Sequence, residues 1–180
     1  MAAGDIEVVA RAAARGDRDA FATLCATLSD DVWRYCYTLC GDRELAYEAA
    51  QETFLRLVKA IRRFRGDGPI KVFLLVIARR AVAEVLRRER GRGDVLGDPP
   101  EEVQPDGTGL VDAESLLALL PFDLRQAFVL TQVIGLPYQE TAEIIGCPIG
   151  TVRSRVFRAR ERLVAQINPD DTEETDAQQG

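Results

Sequence analysis

The chain has 180 residues, 47% apolar and 7% aromatic, which is enough for one medium or two small helical cores. It has no histidine, removing the commonest general base and zinc ligand, and four cysteines without a CxxC pair, which speaks against a structural zinc or a disulfide framework. The net charge of −6 looks wrong for a nucleic-acid binder, yet it is segregated: +4 over 1–92, −6 over 93–113, +1 over 114–168 and −5 over 169–180.

In chain order, apolar spacing predicts helix almost everywhere before Arg92, and no alternating β-branched run predicts a sheet. Residues 6–14 read as a short amphipathic start ended by Gly16-Asp17. Residues 19–41 carry Phe21, Leu24, Leu28, Val32, Trp33, Tyr35 and Leu39 in helical rhythm, with an interruption expected near Ser29-Asp30. Cys25, Cys36, Cys40 and Cys147 read as small buried apolar residues. Residues 43–64 form a long amphipathic helix with Ala46, Ala50, Phe54, Leu57 and Ile61 on one face. The Gly66-Asp67-Gly68-Pro69 turn ends it, and residues 71–90 form the next helix. Within 56–92 there are 12 basic and 3 acidic side chains, so the positive charge lies on helices.

From 91 to 109 the composition shifts to Gly, Pro, Asp and Glu, the mark of a linker. Helices resume at Asp112 and run to about Ile167, and the acidic tail 169–180 is expected to be disordered. The longest apolar run, 72–78, is far too short to span a bilayer. The N-terminus carries no apolar signal core, so the expectation is a cytoplasmic protein without membrane insertion.

Residues 136–163, LPYQETAEIIGCPIGTVRSRVFRARERL, read as two short helices around a tight turn, the second with five arginines. Ala142 lets the helices approach, Gly146 makes the turn, Val152 locks the second helix, and Pro148 suits its first position. Val152, Val156, Ala159 and Leu163 recur at helical spacing and mark the buried stripe. Arg153, Ser154, Phe157 and Arg158 fall off that stripe and face outward. A helix displaying arginines and an aromatic suits a DNA major groove, while a solvated charged face is the plainer alternative.

Two blocks together carry a resemblance. The segments AAQETFLRLVKAIRRFRGDG (49–68) and FLLVIARRAVAEVLRR (73–88), followed by LLPFDLRQAFVLTQVIGLPYQETAEIIGCPIGTVRSRVFRAR, closely resemble a bacterial extracytoplasmic-function (ECF) sigma factor of the sigma-70 family. The resemblance implies an all-α fold of two small helical domains. Residues 5–92 would be sigma domain 2, 93–111 a flexible acidic linker, 112–168 sigma domain 4 with a helix-turn-helix, and 169–180 a disordered tail. It implies a promoter-specificity subunit with no catalysis, cofactor, metal or small-molecule substrate. The implied partners are promoter DNA, an anti-sigma protein and core RNA polymerase, through the coiled coil of its largest subunit and the flap of the second-largest.

The roles transfer residue by residue. Glu48, Gln51, Glu52, Leu55 and Arg56 lie where the family docks onto the polymerase coiled coil; without the resemblance they would read as a solvated face. Glu48 and Glu52 are a poor metal or acid–base pair without a histidine partner. Phe64, Arg65, Gly66, Asp67 and Lys71 lie where the family holds a base flipped from the non-template strand, which suits a Gly-rich loop among basic residues. Phe73, Arg79, Arg80, Arg87 and Arg88 follow on the helix that meets the −10 element, the arginines neutralising phosphates. Departures from the family pattern at Gly68-Pro69, at Phe73 (commonly Trp) and at Arg80 (commonly Asn) bear on −10 preference and not on melting.

In the second helix of the turn motif, TVRSRVFRAR resembles sigma factors of the envelope-stress type, and residues 132–151 are similar to the mycobacterial sigma-C type, leaving the subgroup open. Arg153, Ser154, Phe157 and Arg158 would then read −35 bases, with Thr151 and Arg155 holding phosphates. The acidic linker has two readings, an RNA mimic in the polymerase's basic RNA path or an ordinary tether. A free-standing helix-turn-helix regulator of operator DNA is the competing function, though it leaves the basic first module unexplained.

Overall fold

The computed structural model describes residues 3–92 and 113–167, and every described element is helical. The linker, the acidic tail and the readings made for them lie outside the described residues. Helix α1 spans Ala3–Ala14, α2 Arg18–Cys40, α3 Arg43–Ala60 and α4 Ile70–Arg92. After the linker come α5 Ala113–Ala118, α6 Phe122–Phe128, α7 Tyr138–Ile145 and α8 Ile149–Ile167.

Local chemistry sets the helix boundaries. Asp17 caps α2 by accepting the Asp19 and Ala20 amides at 3.0 Å, and Asp42 caps α3 through the Leu45 amide at 2.8 Å. Between them Gly41 takes the left-handed conformation that ends α2, with φ 67°. Helix α2 runs unbroken through Ser29-Asp30, correcting the expected interruption. The Ser29 hydroxyl donates to the Ala26 carbonyl without displacing the backbone, and buried Leu28 and Val32 hold both sides of the site. Helix α3 stops at Ala60 and passes into a 3₁₀ turn, Ile61–Arg63, before the extended Phe64. Pro148 sits one residue ahead of α8, and its carbonyl accepts the Thr151 and Val152 amides.

The buried stripe of α3 is Ala46, Ala49, Thr53 and Leu57, rotated from the expected one. Thr53 fits because its hydroxyl donates to the Ala49 carbonyl at 2.7 Å. Ala50 and Phe54, expected in the core, are only half-buried and turn toward a surface groove. Helix α6 continues into a π turn, Val129–Val133, where the Ile134 amide reaches the Val129 carbonyl at 2.9 Å. No sequence signal announced it.

Helices α1–α4 pack as one bundle and α5–α8 as a second, smaller one. The two share a continuous apolar core in this structure, with Leu39 and Leu74 in one cluster with Leu130 and Ile144. A buried hydrogen bond crosses the contact, Gln126 Nε2 donating to the Tyr35 hydroxyl at 2.8 Å. Both groups need that bond, since Tyr35 and Gln126 are essentially inaccessible.

Candidate nucleic-acid interface

The helix-turn-helix is built as its spacing demands. Gly146 takes φ 76° and its amide bonds the Ala142 carbonyl at 2.8 Å, closing α7. Val152, Val156 and Ala159 are buried beneath α8, which forces the rest of that helix outward. Arg153, Ser154 and Arg158 are exposed, and Phe157 leaves 62% of its surface in solvent. A phenylalanine so exposed on a structured helix is an unpartnered apolar contact. Thr151 and Arg155 are half-buried, and Arg155 pairs with Asp123 of α6 at 2.7 Å. Arg158 donates to the Ser154 carbonyl at 3.4 Å, lying along its own helix. Thr151, Arg155 and Arg158, with Asp123, Glu161 and Arg162, border an open cleft of about 560 Å³ between α6 and α8.

The second basic region gathers around the turn between α3 and α4. Phe64 is buried and its ring meets Phe73 at 5.5 Å between centroids, tilted by 60°. These rings carry the turn, in which Gly66 takes φ 80° and Arg65 and Asp67 are exposed. A cavity of about 260 Å³ opens there, lined by Phe64, Arg65, Gly66, Asp67, Phe73 and, from α7, Glu143, among others. Lys71 is tied to Asp31 at 2.8 Å. Along α4, Arg80 and Arg87 are exposed, and Arg88 pairs with Glu48 at 2.8 Å. Arg79 turns inward instead. Its Nε is buried with no hydrogen-bond partner among the described residues, beside the Tyr35 hydroxyl, whose pKa burial pushes up.

The five α3 residues do not form one patch. Gln51 and Leu55 face an apolar groove of about 470 Å³ lined also by Phe21, Trp33, Tyr47, Phe54 and Val58. Tyr47, Leu55 and Val58 are more than half exposed. Glu52 and Arg56, expected on the outer side, are half-buried and lean toward α4. Arg56 bonds Glu52 at 2.7 Å and also Glu84, holding the Glu84 carboxyl below its usual range. Glu48, paired with Arg88, belongs to that same flank.

Two family models match, Sigma-70 region 2 over residues 24–92 and Sigma-70 region 4 over residues 110–163. The ECF RNA polymerase sigma factor SigC of Mycobacterium tuberculosis is 38% identical over 173 residues, covering 92% of this chain and 93% of the relative. The chain is an ECF sigma factor of the sigma-70 family. It therefore directs RNA polymerase to promoters, and with both regions in one chain a free-standing regulator is not favoured. Two solved structures share the fold of this sigma factor. CnrH in complex with the cytosolic domain of CnrY matches with a TM-score of 0.71 at 23% identity, over 91% of this chain and 97% of that one. RpoE in complex with the anti-sigma factor NepR from Bartonella quintana matches at 0.69 and 26% identity, over 83% and 98%.

Several structural residues of this sigma factor leave no signal in the sequence. Arg125 sends its guanidinium to the Ala118 and Leu120 carbonyls at 2.6 and 2.9 Å, and on to Leu39 of the other module at 3.5 Å. Burial pushes its pKa down, and those carbonyls keep the charge solvated. Nothing in FDLRQAF distinguishes Arg125 and Gln126 from surface residues of an amphipathic helix. The helical spacing that places Tyr35 in the core carries no sign of its partner Gln126. Among the described residues no three His, Cys, Asp or Glu side chains gather as metal ligands, and no helix is long and apolar enough to cross a membrane.

Proposed function

We propose that this sigma factor acts purely by binding, in the cytoplasm, with 5–92 as domain 2, 93–111 as a tether, 112–168 as domain 4 and 169–180 as a tail. The outward row Arg153, Ser154, Phe157 and Arg158 reads the −35 element. Arginine bridges guanine O6 and N7, and Phe157 meets thymine methyls. The single observation that carries this assignment is an exposed aromatic flanked by exposed arginines on a helix whose opposite face buries Val152, Val156 and Ala159 and half-buries Leu163. Thr151 holds a phosphate, and Arg155 does so on exchanging Asp123 for DNA.

The turn of residues 64–71 with the exposed face of α4 takes the −10 element. Phe64 and Phe73 form the floor of a pocket for an extruded base, while Arg65, Arg80, Arg87 and Arg88 neutralise the strand backbone. Arg79, turned inward, contributes through the wall of α4. Core polymerase docks on the α3 groove through Leu55, Gln51, Tyr47 and Val58, because exposed apolar area is what a coiled coil can bury. The Bartonella neighbour carries an anti-sigma factor, which supports such a partner for this chain as well. Adding the purified chain to core polymerase should yield run-off transcripts from specific promoters. Binding to DNA fragments with no gain in specific transcripts would overturn this reading.

A further inference from the structure

Helix α1 touches the promoter-facing turn through two side chains that no motif singled out. Glu7 is half-buried, and its Oε1 accepts the backbone N–H of Ile70 at 2.9 Å. Ile70 is the first residue of α4, so its amide has no carbonyl partner within the helix. A carboxylate there satisfies that amide and meets the positive end of the helix dipole. One helical turn along the same face of α1, Arg11 lies against Gly66. A Cβ built on Gly66 would stand 3.6 Å from Arg11 Nη1 and 3.7 Å from Cδ.

Apart from the Phe64 and Phe73 rings that carry it, the stretch between these two points is made of residues costly to order. Residues 65–69 are Arg-Gly-Asp-Gly-Pro, and their two glycines lose more conformational freedom on ordering than any other residue type. At one end the Phe64 amide bonds the Ile61 carbonyl at 2.9 Å, and at the other the Phe73 amide bonds the Pro69 carbonyl at 3.2 Å. The bond from Glu7 is the side-chain tie that fixes the start of α4 against α1. A turn that must receive a base works fastest if its walls are already in place, since ordering them on arrival subtracts from binding.

We propose that Glu7 is a positioning residue for promoter opening. It holds the Ile70 amide so that the turn 64–69 is set before a base arrives, and Arg11 backs Gly66 from below. The inference rests on the assignment of that turn as the base pocket, and the test separates the two.

The experiment uses holoenzyme reconstituted from core polymerase and full-length chain, on duplex promoter DNA carrying 2-aminopurine in the −10 element. Glu7→Ala should slow opening about tenfold, the loss of one charge-assisted hydrogen bond from the opening barrier, about 1.4 kcal/mol. Affinity for core polymerase should stay within about twofold of the parent, because the α3 groove is untouched. Glu7→Gln keeps an acceptor oxygen and should recover most of the opening rate. Parent-like opening by Glu7→Ala overturns the proposal. So does a loss of core binding that matches the loss of opening, with a lowered melting temperature, which marks a cap that only stabilises the fold. The double variant Arg65→Ala with Asp67→Ala tests the pocket itself. If it opens promoters normally, the pocket assignment and the role of Glu7 fall together. If it is impaired while Glu7→Ala is normal, only the role of Glu7 falls.

Discussion

Arg158 stands one turn after Ser154 on the exposed face of α8, with the buried Ala159 beside it fixing the direction of its stem. Its guanidinium lies along its own helix through the Ser154 carbonyl, a weak tie that a guanine edge can replace. Arg158→Ala should cost about 1–3 kcal/mol at one −35 base and relax the preference there. Transcription from a panel of −35 variants checks it. Equal loss across the panel would reassign Arg158 to the phosphate backbone. A second prediction at this scale concerns the thiols. Burial pushes Cys36 and Cys40 up to about 12, from the ordinary 9.0. Between pH 9 and 12 the unfolded chain would lose these protons while the folded chain keeps them. Stability is thus fully present below pH 9 and falls as pH rises toward 12, and buried Tyr35 adds to that fall. Urea unfolding at pH 8, 9 and 10 should show the decline, and Cys36→Ala with Cys40→Ala should flatten it.

Among the elements, α3 carries two different surfaces. One flank is an ionic seam, with Glu52, Arg56 and Glu84 joining α3 to α4 and Glu48 reaching Arg88. Reversing the charges of Glu52 and Arg56 would set like charges against Glu84, so that substitution perturbs the bundle as well as any partner. The other flank is the apolar groove, where Leu55 is 55% exposed. Leu55→Glu should change folding stability by less than about 0.5 kcal/mol, as an exposed substitution. It should weaken core binding more than tenfold, as expected for loss of an anchor. Equilibrium unfolding paired with a polymerase titration decides it; undiminished binding would remove the groove from the docking surface. The turn between α7 and α8 makes a sharper test of backbone geometry. A Cβ added at Gly146 would meet no atom within 4 Å, so any cost of Gly146→Ala comes from its φ of 76° alone. That cost should be about 1–2 kcal/mol of stability, seen in the urea midpoint.

For the molecule as a whole, the two modules face a problem of reach. Promoter elements about 25 base pairs apart lie about 80 Å apart on B-DNA. A globule of this length has a radius of gyration of only about 16 Å. If α8 takes one element and the turn of residues 64–71 the other, as proposed, the packed arrangement cannot serve both, and the modules would part on the promoter. Twenty residues of any chain span at most about 70 Å, so the length between Arg92 and Ala113 suffices once the modules add their own width. Parting breaks the Gln126–Tyr35 bond and frees Glu143 from the pocket of the 64–69 turn. Tyr35→Phe leaves the Gln126 amide unsatisfied in the packed form, a cost of about 1–3 kcal/mol that water removes in the parted form. The variant should shift toward an expanded state, read as lower energy transfer between dyes on α2 and α8, and it should bind core polymerase at least as tightly as the parent. Unchanged energy transfer would show that the contact does not hold the modules together.

Helix positions, the two modules, the turn motif and the outward face of α8 were legible in the sequence, because each rests on local rules. Asp caps, left-handed glycines and 3.6-residue spacing act within a few residues, and Val152, Val156 and Ala159 determined alone which arginines point outward. The basic turn before α4 was legible for the same reason, since its glycines and arginines are contiguous. What faces what was not. Ala50 and Phe54 share the helical period of a core face, yet neighbouring α2 leaves them lining a groove, and a single helix cannot report where its neighbour ends. Arg79 and Arg80 are adjacent arginines, yet packing against other helices buries the Nε of the first near Tyr35 and leaves the second in solvent. The ties from Glu7 to Ile70, from Arg11 to Gly66 and from Gln126 to Tyr35 join residues 55 to 91 positions apart. Contacts of that separation leave no periodicity in the chain, so tertiary packing alone decided them.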